Sequence, residues 1–178
     1  MNKKFTQLNA SGYIKDSESL WRWYNDLTED SRGFKSHDGE WSVNDVFCHF
    51  MLIEEMLIEQ VEGRLASGKV KRAEWKHRRN AILLLAALWI PKRYKAPAAV
   101  SRAIELERFV FDDWMNVRKR LLTLLEDFPS EHENGLVFKH PLAGPIRMKD
   151  AMRFLRFHMR HHYPQLRSLA KRGGFIGF

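Results

Sequence analysis

Apolar residues recur three and four positions apart along most of the chain, which is the spacing of one face of an amphipathic helix. This pattern predicts a first helix from about Asp16 to Asp30 and a second from Ser42 to about Ala66. It predicts a third long helix from Ser101 to Phe128 and a last one from about Met148 to Arg172. Since no segment alternates apolar and polar residues as a half-buried strand does, we expect an all-α fold.

The ends of these helices carry typical start and stop residues. The run Ser42-Val43-Asn44-Asp45 resembles a capping box with Asp in the acidic place, and Trp41 before it is placed to pack against Val46. Asp16 and Ser101 are good N-caps for the first and third helices. The expected breaks are Ser31-Arg32-Gly33, Ser67-Gly68, Pro129 and Gly173-Gly174.

A shorter, strongly apolar helix is predicted from about Trp75 to Trp89, where Pro91 ends it. It lies between the second and third long helices, so we expect a crossover and not a tight turn. Its run from Ala81 to Ile90 is too short for a membrane span, which needs about 20 apolar residues. We expect a packed helix, and the alternative is a surface that meets a membrane or a second copy in a homodimer.

The segment from Ser130 to Arg147 is predicted to be a long loop. Asn134-Gly135 and the run from His140 to Pro145 are rich in turn-forming residues. This loop connects the third long helix to the last one.

Size and cysteine content indicate one domain in a reducing compartment. The 178 residues fit a single core over residues 1–178, and 44% of them are apolar, as in ordinary globular proteins. Cys48 is the only cysteine, so no intramolecular disulfide forms. The N-terminus lacks the apolar run of a secretory signal, and we expect a cytoplasmic protein.

The formal net charge of +8 allows nucleic acid as a partner. Basic residues cluster between Lys69 and Lys95, where a solvated face is the simpler interpretation. No groove-reading helix or single-strand stacking motif is visible, so charge alone supports nucleic-acid binding and we do not expect it.

Two of the eight histidines stand out because His158 and His162 are four residues apart on a predicted helix. Their rings lie on one face, one turn apart, which suits two ligands of one metal ion. His49 is the only histidine in the second helix and lies beside its inward positions, so it is the best third ligand. Three imidazoles leave a position open, as in catalytic zinc sites, and nickel and iron accept the same ligands.

Three nearby residues are candidates for a supporting role. Gln165 lies on nearly the same face as His158, where it either hydrogen-bonds a ligand or packs in an ordinary way. Asp45, one turn before His49, either orients an imidazole or only caps the helix. His161 points about 100 degrees away from the pair, and Cys48 is expected to pack rather than act as a nucleophile. The remaining histidines are expected to be exposed: His37, His77, His132 and His140.

Three phrases of the sequence resemble the DinB-like superfamily: Trp41 to His49, His140 to Pro145 and Phe154 to Gln165. The strongest element is His-x-x-His-His-x-x-Gln, and the resemblance extends over almost the whole chain. It implies an up-down-down-up four-helix bundle, often dimeric, with metal ligands His49, His158 and His162. One departure is Arg147, which stands where the family usually has a Ser or Thr that opens the last helix.

The resemblance implies a metal-dependent enzyme acting on a small molecule, either a transferase that uses a low-molecular-weight thiol or a hydrolase. A divalent ion at three histidines lowers the pKa of a bound water or thiol. Zinc or nickel are the first candidates for the ion, followed by iron or manganese. The alternative is a non-catalytic bundle with a structural metal, in which the basic surface binds a partner.

Overall fold

The computed structural model describes residues 3–90 and 111–178. Its α-helices are α1 (Lys3–Asp26), α2 (Glu29–Gly33), α3 (Val43–Ala66), α4 (Trp75–Trp89), α5 (Phe111–Glu126), α6 (Met148–His161) and α7 (Tyr163–Gly173). A 3-10 turn spans Ser130–His132, and the strands are β1 (Leu136–His140) and β2 (Gly144–Arg147). The predicted cap Ser101 and the stop Pro91 lie outside the described residues.

Four helical rods form the bundle: α1, α3, α5, and α6 continued by α7. Asp16 pairs with Arg156, and Trp23 further along α1 bonds to the carbonyl of Ile176, so α1 runs parallel to the last rod. Helices α3 and α5 run parallel to each other. Two ion pairs in sequence along both helices show this, Glu54 with Arg118 and Glu62 with Arg120.

The first two rods run in opposite directions. Tyr13 in the middle of α1 donates to Glu54 in the middle of α3, whereas Tyr24 near the end of α1 donates to Asn44 at the start of α3. The order is therefore up-down-down-up, and α4 lies in the crossover between α3 and α5. The predicted fold class is confirmed.

The core lies between the four rods and consists of the apolar stripes that define the helices. The predicted inward residues of α3 and of the last rod are buried: Val46, Phe47, Phe50, Ile53, Leu57, Val61, Met152, Leu155, Met159, Leu166 and Leu169. Trp114, Phe47 and Tyr13 are among its largest fully enclosed side chains. Burial of these apolar surfaces is the main term that stabilises the bundle.

Helix α3 begins as predicted. The Ser42 side chain accepts the Asp45 N–H at 3.1 Å, and the Asp45 carboxylate accepts the Ser42 N–H at 2.8 Å. This reciprocal capping box fixes the first turn of the helix that carries His49.

The prediction for the first helix was wrong at both ends. Asp16 lies inside α1 and its carboxylate binds Arg156 and Arg160, so it does not cap a helix end. The break comes at Leu27 and Thr28, where the Thr28 hydroxyl caps the short helix α2. The predicted break at Ser31 to Gly33 therefore lies within α2.

The segment before the last helix contains a β-hairpin and is not only a loop. Strands β1 and β2 pair antiparallel, with His140 opposite Gly144, and a register irregularity falls between Leu136 and Phe138. Four of the five residues of β1 are buried, so the strand lacks the alternating pattern that would have predicted it. Gly144 has a φ of +71°, a conformation that favours glycine at this turn.

The last helix is not continuous, which corrects the prediction of one helix from Met148 to Arg172. Helix α6 ends at His161, and α7 starts at Tyr163. Pro164 has no N–H to donate to the carbonyl four residues earlier, so the helical hydrogen-bond ladder is interrupted there. His162 therefore lies at the junction of the two helices.

Helix α4 matches its predicted bounds and packs mainly against α6. Ala81 and Leu84 are buried, whereas Ile82, Leu83 and Trp89 are between 59% and 72% exposed. Among the described residues, no helix has the length and apolar character to cross a membrane. Homodimerisation through α4 stays a prediction.

Candidate metal centre

His49 comes from the second turn of α3, on the face that turns toward the core. It is 5% exposed and is flanked by the buried residues Val46 and Phe50. The Ser42 capping box two turns earlier fixes the phase of the helix and hence the direction of the imidazole. His49 is therefore a fixed group on the inner wall of the bundle.

His158 and His162 come from the last rod, four residues apart, at the end of α6 and at the junction with α7. Both residues are half-buried, whereas His49 is buried. The break caused by Pro164 follows His162 directly. The ring of His162 remains beside that of His158, with 4.8 Å between the ring centroids.

The structure brings the three predicted histidines together. The Nε2 atoms of His49 and His158 are 3.3 Å apart, and His49 and His162 have their ring centroids 5.2 Å apart. One nitrogen from each of the three rings lies within 4.8 Å of the others. No other group of three or more metal-ligating side chains occurs in the part of the chain that the structure describes.

All three imidazoles are neutral at pH 7. Burial lowers the pKa of His49 to about 3, and a positive charge on His162 would lower it further. Burial also lowers the pKa of His162 to about 4 and holds the pKa of His158 well below its ordinary value. Neutral imidazole is the form that ligates metal ions, so the cluster is ready to bind a cation without releasing protons to solvent.

Of the two roles that the spacing left open for Gln165, the structure shows a hydrogen bond to a proposed ligand. Its side-chain oxygen Oε1 lies 2.9 Å from Nδ1 of His162. A carbonyl oxygen only accepts, so Nδ1 of His162 carries the proton and Nε2 keeps its lone pair for a ligand. This is the arrangement by which a second hydrogen bond orients a ligating histidine.

Asp45 caps helix α3, and its carboxylate also pairs with Lys35 at 2.9 Å. Among the described residues Asp45 makes no hydrogen bond to an imidazole, and the buried Nδ1 of His49 has no partner. The capping interpretation of Asp45 therefore accounts for its contacts. The role of orienting an imidazole has no contact to support it.

His161 faces away from the cluster, as its position on the helix predicted. Its Nδ1 lies 3.2 Å from the carbonyl oxygen of Leu88, near the end of α4. His161 thus links α4 to the last rod. Cys48 is buried, in agreement with a packing role.

Aromatic side chains line the cluster. The Trp41 ring lies 5.1 Å from the His49 ring and is stacked on His162 at 6.2 Å with 14° between planes. Phe50 lies 5.5 Å from His162, and Phe154 lies 5.2 Å from His158. Trp41 was predicted only to pack at the start of the helix, and its contact with the two imidazoles was not predicted.

His140 corrects a prediction, because it is buried and not exposed. It ends β1 with 7% of its surface accessible, and its ring packs edge to face against Phe154 at 4.5 Å. Burial lowers the pKa of His140 to about 4. The prediction failed because the hairpin that carries His140 was not recognised.

The donor set fits a divalent metal ion. Two nitrogens that are bound to one tetrahedral ion at zinc distances lie about 3.3 Å apart, and this is the distance between the Nε2 atoms of His49 and His158. Two neutral imidazole nitrogens that face each other either share one proton or ligate one cation. Three neutral nitrogen donors suit zinc, nickel and iron better than magnesium or calcium, which prefer oxygen ligands.

Comparisons with known proteins identify a family and a similar solved structure. The family model of the DinB superfamily matches residues 15–166. Among solved structures, the chain is similar to YfiT from Bacillus subtilis, described as a probable metal-dependent hydrolase with an unusual four-helix bundle topology. That similarity has 16% sequence identity and a TM-score of 0.41, and it covers 97% of this chain and 87% of YfiT. No curated protein matches the sequence.

Proposed function

The chain belongs to the DinB superfamily, and we propose that it is a metal-dependent enzyme in which His49, His158 and His162 hold one divalent ion. The observation that carries the proposal is the convergence of three neutral imidazoles, from helix α3 and from the α6–α7 junction, on one point. Two of the three histidines are only half-buried, which suits a site that a substrate must reach.

When bound, the ion would supply Lewis acidity and lower the pKa of a bound water or thiol. The protein's own side chains enclose the site and orient the ligands. His49 closes the core side of the site, and Gln165 holds His162 in the tautomer that presents Nε2. Trp41, Phe50 and Phe154 exclude bulk water from the walls.

We propose a small-molecule substrate with an apolar part that contacts these aromatic walls. The reaction is hydrolysis or transfer to a low-molecular-weight thiol, because both use a nucleophile that a divalent ion activates.

The first test is the metal content of the protein, purified without a metal-affinity column. We expect about one equivalent of zinc, nickel, iron or manganese in the native protein and almost none in the double variant His158→Ala, His162→Ala. A matched control is His132→Ala, a half-buried histidine outside the cluster, which should keep its metal. A native protein that remains metal-free after incubation with each of these ions would contradict the proposal.

A further inference from the structure

Helix α4 presents large apolar side chains to solvent along one face. Trp75, Ile82 and Trp89 are seven residues apart and therefore lie two turns apart on the same side of the helix. These three side chains and Leu83 beside them are each more than half exposed, and together they form the apolar face of α4. The face is about 21 Å long at the helical rise of about 1.5 Å per residue.

This apolar face cannot turn inward, because the opposite side of α4 is already packed. Ala81 and Leu84 are buried, and the helix packs mainly against α6. The carbonyl oxygen of Leu88 lies 3.2 Å from Nδ1 of His161 on α6. The apolar face is therefore a fixed part of the protein surface.

The excess positive charge of the chain is concentrated around the same helix. The segment from Lys69 to Lys95 contains nine of the 30 Lys and Arg residues but only one of the 22 acidic residues, Glu74. It therefore accounts for the whole formal net charge of +8, and the rest of the chain is balanced. Six of the nine basic residues lie in the part that the structure describes, and all six are exposed: Lys69, Lys71, Arg72, Lys76, Arg78 and Arg79.

Basic side chains border the apolar face on both sides. Around the helix axis, Arg78 lies about 60° from Trp75 in one direction and Lys76 about 100° in the other. The guanidinium of Arg79 lies 5.2 Å from the centre of the Trp75 ring. Long Lys and Arg side chains lay their methylene groups along apolar surface and keep the charge at its edge. The surface of α4 thus combines an apolar strip with flanking cations.

We infer that α4 binds the surface of a membrane that contains anionic phospholipids. Helices that lie in a membrane surface carry Trp and aliphatic residues on one face and Lys or Arg beside them. Trp75 and Trp89, at the two ends of the apolar face, are of the type that favours the headgroup level. The basic residues then lie next to the lipid phosphates and carboxylates. This interaction does not depend on the metal centre.

A second copy of the chain fits the apolar face less well. In a symmetric dimer the same patch of both subunits meets, so the basic residues of one α4 would face those of the other and repel them. A face of about 21 Å by about 10 Å covers roughly a quarter of the about 800 Å² that each partner buries in a stable interface. An anionic lipid surface turns the same charges into an attraction.

Vesicle binding of the full-length protein tests the inference. We expect the protein to sediment with vesicles of phosphatidylcholine that contain one third phosphatidylserine, and much less with pure phosphatidylcholine. Binding should weaken when the salt concentration rises from about 0.1 M to about 0.5 M, because salt screens the attraction. No binding to the anionic vesicles, or equal binding to both kinds, would overturn the inference.

Two double variants separate the apolar and the charged contributions. Ile82→Gln with Leu83→Gln should lower the affinity for anionic vesicles by roughly tenfold or more, because two apolar side chains no longer enter the lipid. Arg78→Gln with Arg79→Gln should lower it by a similar factor and reduce its salt dependence. All four side chains are exposed, so thermal unfolding should change little.

Matched controls lie on other exposed helix surfaces. Met115→Gln with Leu122→Gln replaces two exposed apolar residues of α5, and Lys119→Gln with Lys171→Gln replaces two exposed cations away from α4. Both controls should bind vesicles as the native protein does. An equal loss of affinity in the controls would overturn the assignment to α4.

Sedimentation of the free protein tests the competing occupant. A dimer that dissociates in Ile82→Gln with Leu83→Gln, in a protein that binds no anionic vesicles, would assign the face to a second copy and overturn the inference. If this variant does not fold, an unchanged vesicle affinity of Arg78→Gln with Arg79→Gln would also overturn it.

Discussion

His162 illustrates how single residues prepare the candidate site. A histidine offers either ring nitrogen to a metal, and the hydrogen bond at the other nitrogen decides which one. Gln165 accepts from Nδ1 of His162 at 2.9 Å, and Leu142 and Ala143 donate to Nδ1 of His140. The two rings are thus fixed in opposite tautomers.

The hydrogen bond between His162 and Gln165 predicts the effect of replacing Gln165. Gln165→Ala should weaken metal binding by about tenfold or more, because His162 loses the partner that orients its ring. Gln165→Glu should retain most of the affinity, since a carboxylate accepts the same hydrogen bond. Competition with a chelating dye measures both. Equal affinities of Gln165→Ala and the native protein would refute the orienting role.

At the scale of elements, helix α3 was predicted well because its signals are local. The capping box at Ser42 and the stripe from Val46 to Val61 can be read from neighbouring residues. The hairpin was missed because β1 is buried on both faces, and this burial depends on distant partners such as Phe154. The prediction that His140 is exposed was wrong for the same reason, because His140 lies in this hairpin.

The three proposed ligands could be identified from the sequence because their positions depend on helical spacing and on the family resemblance. The same spacing placed Gln165 near the ligands but left a hydrogen bond and ordinary packing both open. The break at His162 was missed because the apolar stripe of the last helix continues beyond Pro164, to Leu166 and Leu169. The contact of Trp41 with two imidazoles depends on how α3 meets the last rod, which no local pattern contains.

The capping box predicts a stability effect at the element scale. Ser42→Ala should lower the free energy of unfolding by about 1 kcal/mol, because the Asp45 N–H loses its acceptor. Ser67→Ala at the exposed other end of α3 serves as the control and should change it much less. Urea unfolding of both variants measures the difference. Equal effects of the two substitutions would show that the box does not stabilise α3.

For the whole molecule, burial of neutral histidines makes stability depend on pH. The pKa of His49 is about 3 and those of His140 and His162 are about 4, all below the value of about 6.5 in an unfolded chain. The unfolded state therefore binds more protons between these values, so the free energy of unfolding falls as pH falls through this window.

The metal-free protein should accordingly lose stability between pH 7.5 and pH 5, by on the order of 1 to 2 kcal/mol for each such histidine. In His140→Asn one of these histidines is absent, so the loss should be smaller. Urea unfolding at the two pH values measures the difference. A loss of stability in His140→Asn as large as in the native protein would show that protonation of His140 does not lower the free energy of unfolding.

The central claim is that one divalent ion lies between α3 and the last rod, held by His49, His158 and His162. Anomalous diffraction from crystals of the metal-loaded protein tests it most directly. We predict a single strong peak at about 2.0 to 2.3 Å from one nitrogen of each ring. A peak elsewhere, or three imidazoles hydrogen-bonded only to one another in the presence of excess metal, would contradict the account.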